Sequence, residues 1–179
     1  MVHRDIKPAN IQICRRGRDY DYVKVLDFGL VKRLRPTDGG EPVLTAPEVV
    51  AGTPAYLSPE TLSGDPVDGR SDIYSLGCVA YWMLTGRHVF DAESAVQMIA
   101  RHLQSTPVPP SHFARDPVPA ELDATVLACL AKHPRGRPAS AWDLADRLAE
   151  CELADAWTRE DARRWWQARL TPEPAIPPG

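Results

Sequence analysis

Strand patterning occurs in one short stretch of this chain and then stops. Ile11 to Arg15 and Tyr22 to Leu26 are runs rich in β-branched and apolar residues, separated by Arg16-Gly17-Arg18-Asp19, and they read as one small antiparallel hairpin. With no later strand signal, the fold must be mainly α with a small β-hairpin. A hairpin also returns the chain on itself, so the loop before its first strand lies beside the loop after its second.

From Leu30 to Glu60 no period is sustained, while Pro36, Gly39, Gly40, Pro42, Pro47, Gly52, Pro54 and Pro59 recur. This is expected to be a long irregular segment, of the kind that carries function in compact domains. Helical patterning then begins, with Ser71-Asp72 as a cap before Ile73 to Leu84 and Gly86 as a stop. Apolar residues occupy nearly every face of that helix, so it is expected to be buried all round. Ala92 to Gln104, amphipathic through Val96, Ile99, Ala100 and Leu103, and Ala120 to Lys132 are the next candidates. Ser140-Ala141-Trp142-Asp143 resembles a capping box that opens a helix reaching about Cys151, and Thr158 with Asp161 caps a fifth. Trp157, Trp165 and Trp166 are expected to pack this last helix against the rest.

Charge and cysteine usage narrow the setting. Lys plus Arg number 21 against 24 Asp plus Glu, a formal charge of -3, which argues against nucleic acid as a partner. Cys14, Cys78, Cys129 and Cys151 form no C-x-x-C pair, so neither a zinc knuckle nor a disulfide framework is expected, and a reducing, cytoplasmic location fits best. The longest apolar run, Cys78 to Leu84, falls far short of the roughly 20 residues of a membrane helix, so no membrane segment is expected in this chain. His88, His102, His112 and His133 lack metal-ligand spacing and read as surface or loop residues.

The chemistry-bearing residues flank the hairpin. His3-Arg4-Asp5-Ile6-Lys7-Pro8-Ala9-Asn10 precedes it and Asp27-Phe28-Gly29 follows it, so Asp5, Asn10 and Asp27 can converge on one small volume. Three oxygen-bearing side chains suit Mg2+, which prefers hard oxygen ligands and is shared between one or two protein groups, here Asn10 and Asp27, and substrate phosphates. Asp5 is then left unmetalled as a base. Lys7 can supply positive charge to a phosphoryl group in transfer, whose transition state spreads negative charge over its oxygens.

In content and order these motifs resemble those of the eukaryotic-like serine/threonine protein kinases, and the wording of Gly52 to Glu60 and Ser71 to Gly77 looks bacterial. His3-Arg4-Asp5 with Asn10 is similar to the catalytic loop, Asp27-Phe28-Gly29 to the metal-binding motif, and Ser58-Pro59-Glu60 to a variant ending of the activation segment. The resemblance implies catalytic roles for Asp5 and Lys7, with Lys7, Asn10 and Asp27 holding the cofactors ATP and Mg2+. It implies that Thr53 bridges Asp5 and Lys7, and that His3 and Phe28 pack into the core linking two lobes. Arg4 beside Asp5 resembles a basic pocket for a phosphorylated residue, for which Thr45 is the favoured candidate and Thr37 the second. Gly29 belongs to the metal-binding motif. Glu60 with Arg137 is expected to form a structural pair, and Asp72 to accept hydrogen bonds from the catalytic-loop backbone.

Only Met1 and Val2 precede His3, so the glycine-rich loop, strand lysine and helix glutamate that complete the family's ATP site are not in these residues. The expectation is a protein-kinase-like C-terminal lobe, of the α+β class, with the N-terminal lobe absent though needed for the full ATP site. That lobe would span residues 1–152, followed by an added C-terminal helix over 153–170 and a disordered tail over 171–179. The implied activity is transfer of the ATP γ-phosphoryl to Ser or Thr of a protein substrate, at a very low rate from this chain alone. The alternative is a non-catalytic, kinase-derived lobe that binds substrates or regulators through Gly52 to Glu60 and the helices that follow.

Overall fold

A computed structural model describes residues 2–26, 54–152 and 157–169. Strands β1 (Ile11–Arg16) and β2 (Asp19–Val25) form the two-stranded antiparallel sheet, pairing Ile11 with Val25, Ile13 with Val23 and Cys14 with Tyr22 before the register shifts to close on Arg16 and Asp19. The turn is therefore tighter than expected, Gly17-Arg18 alone, and Gly17 supplies its left-handed conformation with φ +61. Ile11 and Val25 pack against the main core, whereas Ile13 and Val23 further out are 53% and 55% exposed.

Six α-helices follow among the described residues. Helix α1 (Pro59–Ser63) lies at the end of the stretch read as irregular; Ser58 caps its first turn, proline occupies that turn, and Gly64 ends it. Helix α2 (Gly69–Thr85) starts earlier than the sequence suggested, because Asp68 and not Ser71 or Asp72 is the cap, its carboxylate accepting the Arg70 N–H at 2.9 Å. Ser71 and Asp72 sit inside the first turn with their side chains committed to other elements. Gly86, in the left-handed region at φ +69, stops the helix as expected.

Helix α2 is the strut of the fold, though it is not buried all round: Tyr74 and Tyr81 are at most 1% exposed, whereas Trp82 and Met83 in its last turn are 40% and 68% exposed. Burying a large side chain of this kind contributes roughly 2–3 kcal/mol. Helices α3 (Ala95–Gln104), α4 (Ala120–Cys129) and α5 (Ala141–Ala149) come next. Each is shorter than its sequence pattern by a turn or less, and Ser94 and Ser140 cap α3 and α5. In α3 the inward stripe is Met98 and His102, and Val96 points to solvent. Ile73 of α2, Cys129 of α4 and Leu144 of α5 form a second apolar cluster.

The last helix, α6 (Arg159–Arg169), opens with reciprocal bonds between Thr158 and Asp161, the Asp161 N–H reaching the Thr158 hydroxyl at 3.2 Å. It packs on β2 through Ala162 and the indoles of Trp157 and Trp166, while Trp165 is 41% exposed beneath the Arg169 guanidinium. The expected tail lies outside the described residues. All four cysteines are free thiols, with Cys78 and Cys129 buried and Cys14 and Cys151 half-buried. No helix among the described residues is long and apolar enough to cross a membrane.

Candidate active site

The loop before the hairpin is fixed from two sides. On one side, both oxygens of the Asp72 carboxylate accept backbone N–H groups, from His3 at 2.7 Å and from Arg4 at 2.8 Å. These bonds hold Arg4 in the left-handed region at φ +68, a conformation that costs a non-glycine residue of the order of 1 kcal/mol and persists only where the surroundings enforce it. On the other side, the buried His3 ring bonds the Leu26 carbonyl through Nε2 at 3.0 Å while its Nδ1 accepts the Asp5 N–H at 3.3 Å. A carbonyl can only accept, so Nε2 donates and Nδ1 is the accepting nitrogen.

A single turn of 3-10 helix, Pro8–Asn10, then delivers Asn10 to the start of β1, with the Asn10 N–H bonded to the Lys7 carbonyl at 2.9 Å. Asn10 is buried, and its Nδ2 donates to the Asp5 backbone carbonyl and to Asp5 Oδ2, each at 2.8 Å. Lys7 Nζ meets the same Oδ2 at 2.9 Å. One carboxylate oxygen is thus shared by an amide and an ammonium, on a side chain that stays half-exposed. Asp5, Lys7 and Asn10 are therefore brought together, whereas the expected approach of Asp27 lies outside the described residues.

The return of the hairpin completes the arrangement on its other flank. The Leu26 N–H donates to the Asn10 carbonyl at 2.8 Å, so the chain leaves β2 directly beside the loop that holds Asn10. Asp27 is the next residue. Asp27, Phe28, Gly29, Thr37, Thr45 and Thr53 lie outside the described residues.

Glu60 and Arg137 form a buried bidentate pair, with Nη1 to Oε1 at 2.7 Å and Nη2 to Oε2 at 2.8 Å. Ser71 also donates its hydroxyl to Glu60. Burial alone would raise the Glu60 pKa, but the hydrogen bonds from Arg137 and Ser71 outweigh it and hold the carboxyl at about 2. This pair ties the end of the Pro54–Glu60 segment to α2 and to the loop after α4.

One member of the neighbourhood was misread from sequence. His102, expected at the surface, is fully buried, with Nδ1 against the Tyr74 hydroxyl at 2.8 Å and its ring edge-on to Phe90. Burial and the nearby Lys132 charge push its pKa down to about 4, so it is neutral. Lys132 Nζ in turn donates to the His102 carbonyl at 2.7 Å and closes the C-terminal end of α3, burial drawing its pKa down to about 8. The usable sequence signal was the four-residue spacing of Met98 and His102, which puts both on one helical stripe.

Asn10 offers what a magnesium ion would need: both bonds from its amide nitrogen go to Asp5, which directs its oxygen elsewhere, and an amide oxygen is a hard donor. Among the described residues no three His, Cys, Asp or Glu side chains cluster as a metal site.

Known proteins carry the same pattern. Residues 1–149 match the family model described as "Protein kinase domain". The chain is 40% identical over 176 residues to a probable serine/threonine-protein kinase PknB of Corynebacterium glutamicum, covering 97% of this chain and 26% of that protein. It is 45% identical over 159 residues to the serine/threonine-protein kinase PknB of Mycolicibacterium smegmatis, covering 87% and 24%. Among solved structures, a point mutant of the Mycobacterium tuberculosis PknI kinase domain matches with a TM-score of 0.55 and 28% identity, over 83% of this chain and 45% of that one. The chain spans about a quarter of the length of the curated relatives it matches. With the loop geometry and these matches in agreement, the chain belongs to the protein kinase family, in its bacterial serine/threonine branch.

Proposed function

We propose that this chain is the C-terminal lobe of a cytoplasmic serine/threonine protein kinase that, once a small N-terminal lobe completes the ATP site, transfers the γ-phosphoryl of ATP to a protein hydroxyl. The observation that carries this reading is the shared Asp5 oxygen, held at 2.8 Å by Asn10 and at 2.9 Å by Lys7. Asn10 aims the carboxylate, and its other oxygen is left to accept the proton of an incoming Ser or Thr hydroxyl. Lys7, beside Asp5, would offset the negative charge that develops on the moving phosphoryl group. Asn10 and Asp27 would hold magnesium, which would supply charge neutralisation to the phosphates.

Thr53 is assigned to bridge Asp5 and Lys7, and Gly52 to Glu60 to shape the substrate site. His3 and Phe28 are assigned to the core joining both lobes, and Arg4 to receive a phosphate on Thr45 or, second, Thr37. The Glu60–Arg137 pair and the Asp72 bonds to the loop backbone support this machinery without touching substrate. The test is magnesium dependence. In a protein carrying this lobe with its N-terminal partner lobe, Asn10→Ala should weaken magnesium binding in the presence of ATP about tenfold or more. Unchanged magnesium affinity would remove Asn10 from the site.

A further inference from the structure

The junction between α6 and the hairpin is built around one side chain. Asp21 of β2 takes a left-handed backbone conformation, φ +55, which is uncommon for a non-glycine residue. Its two carboxylate oxygens each accept an indole N–H at 2.7 Å, Oδ2 from Trp157 ahead of α6 and Oδ1 from Trp166 in its third turn. Arg159 adds a bond to the Arg18 carbonyl at 3.1 Å and a longer ion pair to Asp19. Ala162, 3% exposed, is the one closely buried side chain of α6. Trp157 is itself 60% exposed and Trp166 is half-buried, so the apolar contact of α6 is limited and the polar latch adds to it.

The same hairpin ends at the catalytic loop. β1 leaves directly from Asn10, and Leu26 at the exit of β2 bonds back to the Asn10 carbonyl and to the His3 ring. A two-stranded ribbon is marginally stable by itself. Whatever braces its turn therefore also steadies its base.

We propose that α6 is a detachable strap latched by Asp21, and that its docking on the hairpin steadies the loop that presents Asn10. Its bearing on catalysis rests on the assignment of Asn10 proposed above; the coupling itself does not. Release of the strap, by a partner that takes the Trp157 and Trp166 indoles, would then loosen the metal-side flank of the site without touching it.

Hydrogen–deuterium exchange on the full chain tests this with neither nucleotide nor magnesium present, so its outcome is separate from that of the assignment of Asn10. Asp21→Ala should raise exchange over 159–169 about tenfold and raise that of the Asn10 and Leu26 amides several-fold, while the buried amides of α2 around Val79 stay protected as the control for folding. Asp21→Asn, which keeps an acceptor oxygen, should restore most of the protection, and Trp166→Phe, which removes one N–H and keeps the ring, should fall between. A helix that stays protected in Asp21→Ala would overturn the latch. A released helix with unchanged Asn10 and Leu26 amides would overturn the coupling.

Discussion

Arg137 commits every nitrogen of its guanidinium: Nε to the Ala131 carbonyl, Nη1 to Glu60 and the Arg70 carbonyl, Nη2 to Glu60 and the Lys132 carbonyl. Lysine has neither the reach in that plane nor the donor count, so Arg137→Lys should behave as a loss and not as a conservative change. Removing one partner of a buried ion pair strands the other, and the expected cost is about 3 kcal/mol, read as a drop in urea midpoint at constant slope. The pair also sets an acid limit. The Glu60 carboxyl is held at about 2 in the folded protein against an ordinary 4.5, so the unfolded chain takes up the proton first as pH falls. Its stabilisation is complete above about pH 4.5 and fades as pH drops toward 2. A pH series of urea midpoints should lose that acid limb in Glu60→Gln, and an unchanged limb would mean that other carboxyls set it.

At the scale of elements, α2 and α4 approach each other through a glycine. A Cβ added at Gly77 would lie 2.7 Å from the Cys129 Cβ and 3.3 Å from a Leu130 methyl, so one helix must move. Alanine gains about 1 kcal/mol of helix propensity over glycine, yet overpacking costs about 1–3 kcal/mol. Gly77→Ala is therefore expected to lower stability by up to about 2 kcal/mol, and a raised melting temperature would contradict this packing. The same helix marks where sequence reading succeeds and fails. Its existence, its glycine stop and its apolar content were legible, because they depend on local pattern. Its start was not, because Ser71 and Asp72 look like caps but serve Glu60 and the His3-Arg4 backbone, partners far away in sequence. The inward face of α3 was misjudged for a related reason: a histidine counts as polar in any periodicity, yet His102 is neutral, paired with Tyr74 and packed edge-on against Phe90. The small α1 went unseen because five residues cannot show a helical period. The loop before the hairpin was the reverse case: the motif order suggested a convergence of Asp5, Asn10 and Asp27 that propensity could not have supplied, and of these the described residues show Asp5 beside Asn10.

At the scale of the whole molecule, a helical body carries one ribbon among the described residues, and the proposed site sits where the ribbon joins it. Asp72 in the central helix holds the loop from below, the His3 ring and Leu26 hold it from the hairpin side, and α6 meets β2 at Asp21. Two separate parts of the chain thus converge on the loop, while the Asp5 side chain stays half-exposed. The claim that this opening is a phosphoryl-transfer site is tested most directly by the rate at which a protein carrying this lobe and its N-terminal partner lobe moves phosphate from ATP to a serine- or threonine-bearing protein. In Asp5→Asn, which preserves shape and removes the base, the account predicts a fall of about a hundredfold or more in kcat with the KM for ATP little changed. A rate within about twofold of the unsubstituted protein, at equal folded fraction, would contradict it.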